Sequence, residues 1–185
     1  MTSAARSKQF PPDYGAEVVF AGRSNAGKSS AINAITGVGG LARTSKTPGR
    51  TQLINFFSIG ADYRLVDIPG YGFARVPEPV RRQWRDLIEG YLSTRESLKG
   101  MILLVDIRHP MKEFDSQMLV WAGHVGLSVH VLLTKADKLT RNKANQALGG
   151  VEKALPDGVG VQLFSALKAQ GIKEARSLLD QWLRA

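Results

Sequence analysis

The chain has 185 residues, a net charge of +9 and no cysteine, which fits a single domain and excludes a disulfide framework, a thiolate metal site and a cysteine nucleophile. Its longest apolar run, residues 101–105, is far too short to cross a bilayer, and residues 1–14 lack the apolar stretch of a secretory signal, so we expect a cytoplasmic protein without a membrane span. The excess of positive charge favours a polyanionic partner, either nucleic acid or an anionic membrane surface.

Hydrophobic patterning predicts alternating strands and helices after an irregular arm. Residues 1–15, which include Pro11 and Pro12, form the arm, and residues 16–185 form one domain. In chain order the pattern predicts a strand at 16–21, a helix at 28–36, strands at 52–59 and 63–68, a helix at 80–96, a strand at 101–105, a helix at 113–126, a strand at 129–133, a helix at 141–155, a strand at 161–164 and a helix at 172–183.

This alternation is typical of an α/β fold with a mostly parallel sheet that is covered by helices on both faces. We expect six strands, with the hairpin 52–68 supplying one antiparallel strand at the edge. The glycine-rich segment 37–49 precedes the hairpin, and its length in a compact domain is typical of a functional loop.

The segment after the first predicted strand has the spacing of a phosphate-binding loop, Gly-x-x-x-x-Gly-Lys-Ser, and it leads into a predicted helix. Glycines let successive backbone N–H groups point at phosphate oxygens, and the following helix adds its positive dipole end. In such a loop Lys28 reaches the outer phosphates and the Ser29 hydroxyl binds Mg²⁺. The motif therefore predicts a three-layer P-loop NTPase fold. Its candidate residues are Gly22, Arg23, Ser24, Asn25, Ala26, Gly27, Lys28 and Ser29.

A second motif, Asp-x-x-Gly, ends the strand 63–68. The Asp67 carboxylate can hold Mg²⁺ through water, and the Gly70 N–H can contact the γ-phosphate. On its own this short motif is more often a plain turn. Its residues are Asp67, Ile68, Pro69 and Gly70.

Two further motifs end later strands. Asp137 can accept two hydrogen bonds from the N1–H and the exocyclic amine of guanine, a donor pair that adenine lacks, although an aspartate here can also simply cap a helix. A backbone N–H near Ser165 can contact the guanine O6. The candidate residues are Thr134, Lys135, Ala136 and Asp137, followed by Phe164, Ser165 and Ala166.

The order of these motifs decides between the interpretations. Each lies at the carboxyl end of a predicted strand, which is the edge where open α/β sheets bind ligands. Their succession along the chain predicts a guanine-nucleotide-binding domain.

Four segments resemble the EngB (YihA/YsxC) family of small bacterial GTPases, which belongs to the group that includes TrmE, Era and EngA. The resemblance covers nearly the whole chain from about Pro11, and segment 42–52 is the most specific to the family. The four segments are Gly22–Ser30, Ala42–Gln52, Asp67–Gly72 and Val105–Pro110.

The resemblance implies a GTPase that binds GTP or GDP with Mg²⁺, assists assembly of the large ribosomal subunit through the subunit or its RNA, and is needed for normal cell division and septation. We expect it to act as a monomer. By motif, Ser29 and Thr51 would ligate Mg²⁺, and Lys28, Thr51, Gly70 and Asn25 would take part in catalysis. The switch segment would contact nucleotide through Gly49, Arg50, Thr51, Gln52 and Leu53.

Two residues depart from the broader GTPase pattern. Tyr71 stands where Ras-like enzymes place a water-orienting glutamine, which predicts slow intrinsic hydrolysis, and Thr134 replaces the commoner asparagine. For Asn25 two interpretations stay open: it hydrogen-bonds within its loop, or it helps to seat K⁺, as in some GTPases of the TrmE and Era group.

Three functions remain to be distinguished. The first is a GTPase switch that acts on an RNA-rich partner, which the acid-free, basic segment between Glu17 and Asp62 favours. The second is a nucleotide-dependent interaction protein that works in division through a protein partner, with hydrolysis incidental. The third is a kinase or ATPase that uses ATP, and Asp137 argues against it.

Overall fold

The computed structural model of the chain describes residues 1–42, 53–70 and 78–185, and these form a seven-stranded sheet with five α-helices. This architecture confirms the predicted fold class. The strands are β1 Thr2–Ala4, β2 Ala16–Gly22, β3 Ile54–Ile59, β4 Tyr63–Asp67, β5 Leu98–Asp106, β6 Ser128–Thr134 and β7 Gly160–Leu163. The helices are α1 Lys28–Thr36, α2 Glu78–Thr94, α3 Glu113–His124, α4 Arg141–Ala154 and α5 Ile172–Arg184.

The strand order across the sheet is β1-β3-β4-β2-β5-β6-β7. Strand β3 runs antiparallel to both of its neighbours, whereas β4, β2, β5, β6 and β7 pair in parallel. The sequence predicted six strands with the antiparallel one at the edge. The structure adds β1, which pairs with residues 54–56 of β3 and covers that part of its outer edge. Three residues are too few to show an alternating pattern, so the sequence carried no signal for this strand.

The first fifteen residues, predicted to be irregular, are anchored to the domain at several points. The ring of Phe10 packs 5.6 Å from those of Phe56 and Tyr91, measured between centroids. The Asp13 carboxylate accepts hydrogen bonds from the backbone N–H groups of Glu96 and Ser97, each at 3.0 Å. The arm is therefore part of the packed structure.

Helices cover the sheet on both faces, as a parallel sheet requires. On one face α1 and α5 pack through Ile32 and Leu179, and on the other α2, α3 and α4 pack through residues that include Tyr91 and Met118. The central strand β2 is buried along its whole length. Among the described helices, none is long and apolar enough to span a membrane.

The register of the parallel strands brings their carboxyl ends to one edge. Asp67 at the end of β4 lies opposite Phe20 of β2, and Asp106 at the end of β5 lies opposite Thr134 of β6. Because the predicted motifs follow these ends, they meet at this edge of the sheet.

At the opposite side of the sheet, where the parallel strands begin, several side chains hydrogen-bond to one buried carboxylate. Glu17 is fully buried and accepts hydrogen bonds from Arg95 at 2.7 and 3.0 Å, from Arg64 at 3.2 Å and from the Tyr91 hydroxyl at 2.9 Å. Burial first, and then the charge of Glu17, raises the pKa of Tyr91 well above its usual value. The edge opposite the candidate site is thus tied together by charge-assisted hydrogen bonds.

Candidate nucleotide-binding site

The loop between β2 and α1 has the backbone shape that a phosphate-binding loop needs. Asn25 and Gly27 both have positive φ, 65° and 92°, and α1 begins at Lys28 with no acidic residue in its first turn. Glycine takes the left-handed conformation without strain and asparagine tolerates it better than most residues. The N–H groups at the start of α1 therefore point to the place where this loop would bind an anion.

The second motif lies directly against this loop. Lys28 forms an ion pair with Asp67, and each side chain is about a tenth exposed. Gly70 approaches so closely that a Cβ there would lie 3.2 Å from the backbone of Ser24. A larger residue at position 70 would push the two segments apart. The structure thus brings the first two predicted motifs together.

Thr134, at the end of β6, connects the phosphate-binding loop to the sheet. Its hydroxyl lies 2.5 Å from the carbonyl oxygen of Ala26 and 3.2 Å from that of Val105, and the residue is buried. Thr134, which stands where an asparagine is commoner, therefore supports the phosphate-binding loop by a direct contact with its backbone.

Lys135 makes a second connection to the loop. Its Nζ donates to the carbonyl oxygen of Asn25 at 2.6 Å and to Asp106 Oδ2 at 2.8 Å. Arg108 also donates to Asp106, at 2.7 and 3.0 Å. Burial raises the pKa of Asp106, but the hydrogen bonds from Arg108 and Lys135 outweigh it and hold the pKa well below its usual range. Asp106 is thus a fixed negative charge that orients Lys135.

Asp137 is held in place by the last motif. The Ser165 hydroxyl donates to Asp137 Oδ1 at 2.5 Å, and Lys138 Nζ lies 3.7 Å from Oδ2. The backbone N–H of Ala136 donates to the carbonyl oxygen of Phe164 at 3.1 Å. Chiefly because of the Ser165 hydrogen bond, the pKa of Asp137 is lowered, so the side chain is ionised at neutral pH. An oriented carboxylate of this kind can accept hydrogen bonds from guanine.

Comparison with known proteins agrees with this geometry. A family model described as 50S ribosome-binding GTPase matches residues 17–135, more than half of the chain. A probable GTP-binding protein EngB from Coxiella burnetii (strain RSA 493) is 52% identical, with 100% of this chain and 92% of that protein covered. A probable GTP-binding protein EngB from Nitrosococcus oceani is 57% identical, with 98% of this chain and 92% of that protein covered. The chain belongs to the EngB family. It is accordingly a GTPase that binds guanine nucleotide.

Solved structures support the EngB fold assignment. The crystal structure of a probable GTP-binding protein EngB superposes with a TM-score of 0.74 at 23% identity and covers 91% of this chain and 99% of that one. Era, solved in complex with MgGDPNP and nucleotides of 16S ribosomal RNA, gives a TM-score of 0.71 at 17% identity, covering 92% of this chain and 57% of that one. At these identities the likeness shows the fold alone.

Some predicted residues of this EngB-family chain lie outside the described part, namely Gly49, Arg50, Thr51, Gln52 and Tyr71. Leu53 is half-buried just before β3. The Asn25 side chain is exposed and forms no hydrogen bond with any described residue, so the described part gives no support to a bond within the loop.

Sequence reasoning missed how the site is held together in this EngB-family protein. It gave Asp106 no role in the site, although Asp106 orients Lys135, and it assigned Ser165 to the base rather than to Asp137. The only available signal for Asp106 was its place in the family segment 105–110. Contacts between residues far apart in the chain leave no periodic trace in the sequence.

Proposed function

We propose that this GTPase is a Mg²⁺-dependent switch that assists assembly of the large ribosomal subunit in the cytoplasm, acting as a monomer, and that normal cell division and septation depend on this role. The observation that carries the nucleotide-switch part of the proposal is the pair of Thr134 and Lys135 contacts, because they join the phosphate-binding loop to the guanine-recognition segment in one site. The matching family model, described as ribosome-binding, and the net charge of +9 support a ribosomal partner.

In this proposal the segment from Gly22 to Ser29 binds the phosphates, with Lys28 on the outer ones. Lys28 then exchanges its ion pair with Asp67 for contacts to phosphate oxygens. Gly70 lies close enough to the loop for its N–H to report the presence of the γ-phosphate. The segment 49–53 completes the nucleotide contacts.

The residues at this edge fit Mg²⁺, because the Ser29 hydroxyl and the Asp67 carboxylate are the hard oxygen donors that it prefers. Ser29 and Thr51 would hold the ion directly and Asp67 through water. Bound there, Mg²⁺ would neutralise charge on the β- and γ-phosphate oxygens.

Guanine selectivity is proposed to rest on Asp137. Ser165 occupies one side of its carboxylate and orients it, while the remaining lone pairs are directed to the N1–H and the exocyclic amine of the base. Lys135 contributes the stem that lies over the base, and its ammonium group is fixed by Asp106 and the Asn25 carbonyl. The segment from Phe164 to Ala166 contacts the guanine O6.

Catalysis would proceed without a glutamine, since position 71 is tyrosine. Asn25 is proposed to supply a side-chain oxygen to K⁺ beside the β- and γ-phosphates, where a positive charge can act as an arginine finger does, a contribution of roughly 10³ to 10⁵ in rate. Intrinsic hydrolysis should then be faster in K⁺ than in Na⁺ at equal ionic strength, and Asn25→Ala should remove the difference. A parent rate that ignores the cation would reject this role.

The ribosomal role is tested by sedimenting the protein with purified large ribosomal subunits in GDP or in a non-hydrolysable GTP analogue. We expect co-sedimentation with the analogue and release in GDP. Absence of binding in both nucleotide states would reject the proposal. Binding to division proteins in the same pull-down, with no ribosomal RNA, would favour the alternative of a nucleotide-dependent interaction protein.

A further inference from the structure

Three exposed cations, which we call the basic rim, border the guanine end of the site. Arg141 and Lys143 lie in the first turn of α4, and Lys168 lies in the loop after β7. Within the described part of the chain, none of the three side chains forms an ion pair or a hydrogen bond. Three long cationic side chains are thus available to an outside partner.

Acidic residues are missing from the two segments that carry the rim. The sequence has none between Asp137 and Glu152, and none between Asp157 and Glu174. Helix stability does not account for the cations of α4, because positive charge in a first turn opposes the helix dipole. The local charge is therefore of one sign rather than balanced.

Both parts of the rim lie next to the guanine-recognition segment, Lys168 through a backbone hydrogen bond and Arg141 through its place in the chain. The Ser165 hydroxyl donates to Asp137 and accepts from the backbone N–H of Lys168 at 3.1 Å. Only three residues lie between Asp137 and Arg141. The rim consequently adjoins the two segments that are proposed to bind the base, with Arg141 and Lys143 at the start of α4 and Lys168 in the loop after β7.

We propose that the basic rim binds the phosphate backbone of RNA, an inference that rests on the proposed ribosomal function and deepens it. A phosphate backbone presents negative charge of one sign along its length, which matches the two rim segments, where no acidic residue is interspersed. Protein interfaces, by contrast, are depleted in lysine, and two of the three rim residues are lysines. Leu167, 74% exposed beside Lys168, adds an apolar surface that a sugar or base can cover.

The test compares two triple variants that lower the net charge equally. The rim variant is Arg141→Ala with Lys143→Ala and Lys168→Ala. The control is Lys8→Ala with Lys99→Ala and Lys153→Ala, three exposed lysines on other surfaces. Binding to a fluorescein-labelled RNA duplex is measured by anisotropy over a series of salt concentrations, and binding to large ribosomal subunits by sedimentation.

We expect the rim variant to bind the duplex roughly tenfold more weakly, with a slope of log K against log salt that is shallower by about 2 to 3, because each lost phosphate contact removes about 0.9. The control should stay close to the parent. Both variants should keep the parent's GDP affinity in calorimetry, since none of the substituted residues is among the proposed nucleotide contacts.

If the rim variant and the control variant had equal RNA affinities and equal salt slopes, the proposal that the rim binds RNA would be overturned. Loss of GDP binding in the rim variant would also overturn it, because it would assign these residues to the nucleotide site. Loss of subunit binding with duplex binding intact would identify a protein contact and overturn the RNA assignment. If the parent binds the duplex through the rim but does not sediment with large subunits, the rim stands and the ribosomal function fails.

Discussion

The Thr134 hydroxyl is the smallest group on which the site depends. It lies beneath the phosphate-binding loop and within hydrogen-bonding distance of the carbonyl oxygens of Ala26 and Val105. A hydroxyl removed from such a buried position leaves a carbonyl without its donor, which costs about 1 to 3 kcal/mol.

Thr134→Val should therefore weaken GDP binding and lower the free energy of unfolding by about 1 to 3 kcal/mol, because valine keeps the shape of threonine but has no donor. Thr134→Ser, which keeps the hydroxyl, should bind GDP with an affinity close to that of the parent. Calorimetric titration and urea denaturation measure the two effects. Equal GDP affinity in both variants would show that the hydroxyl has no part in shaping the loop.

Asp137→Asn should weaken GDP binding strongly and shift preference toward xanthine nucleotides, since charge-assisted hydrogen bonds contribute about 1.5 to 3 kcal/mol each. Ser165→Ala should cause a smaller loss, because it removes the group that orients the carboxylate and leaves the carboxylate in place. Competition between GDP and xanthosine diphosphate (XDP) measures the affinity and the base preference of each variant. An unchanged GDP affinity in Asp137→Asn would refute the assignment.

At the scale of elements, the packing of α5 on the sheet depends on a glycine. A Cβ at Gly100 of β5 would lie 2.3 Å from the ring of Trp182 in α5. The indole therefore lies directly against the strand, and any side chain at position 100 would displace it.

Gly100→Ala should lower the free energy of unfolding by roughly 1 to 3 kcal/mol through overpacking, and Trp182→Leu in the same chain should recover part of the loss. Gly90→Ala is the control, because nothing lies within 4 Å of a Cβ there and alanine favours the helix α2. Urea denaturation compares the three. A stability of Gly100→Ala equal to that of Gly90→Ala would contradict the close contact.

The pairing of β6 with β7 contains a half-buried histidine, His130, whose pKa is shifted. Burial lowers the pKa of His130 below its usual value of 6.5, although its contact with Gln162 Oε1 at 3.0 Å opposes the shift. Between about pH 7 and 5 the unfolded chain therefore gains a proton before the folded one does, and this histidine's contribution to stability is lost as the pH falls.

His130→Asn should consequently show a shallower fall in stability over that pH range than the parent. His124→Asn, at an exposed position of α3, serves as the control for the loss of an imidazole. Thermal unfolding at a series of pH values measures both. Parallel curves for the parent and His130→Asn would mean that His130 titrates alike in the folded and unfolded chains.

At the scale of the whole molecule, the carboxyl ends and the amino ends of the parallel strands have different roles. The carboxyl edge carries the nucleotide site, and the amino edge is closed by the buried network around Glu17. The N-terminal arm joins this second edge through Asp13 and Phe10. Stability and nucleotide binding are thereby assigned to opposite ends of the strands.

Tyr91→Phe should lower the free energy of unfolding by about 1.5 to 3 kcal/mol, because it removes a hydrogen bond to a buried charge, while GDP affinity stays at the parent value. Tyr14→Phe is the control, since Tyr14 is 51% exposed. Urea denaturation measures the free energy of unfolding, and calorimetry measures the GDP affinity. A large fall in GDP affinity in Tyr91→Phe would show that the two edges are coupled.

The sequence by itself determined the local features. Helix α1 has the predicted bounds 28–36, and the motif residues that the structure describes lie at strand ends, because glycine spacing, helix starts and apolar periods are set by neighbours in the chain. Only the tertiary structure decided that β1 covers β3, that Lys135 is held by Asp106, and that Thr134 supports the loop. Thr134 and Ala26 are 108 residues apart, and the sheet register alone brings such groups within bonding distance.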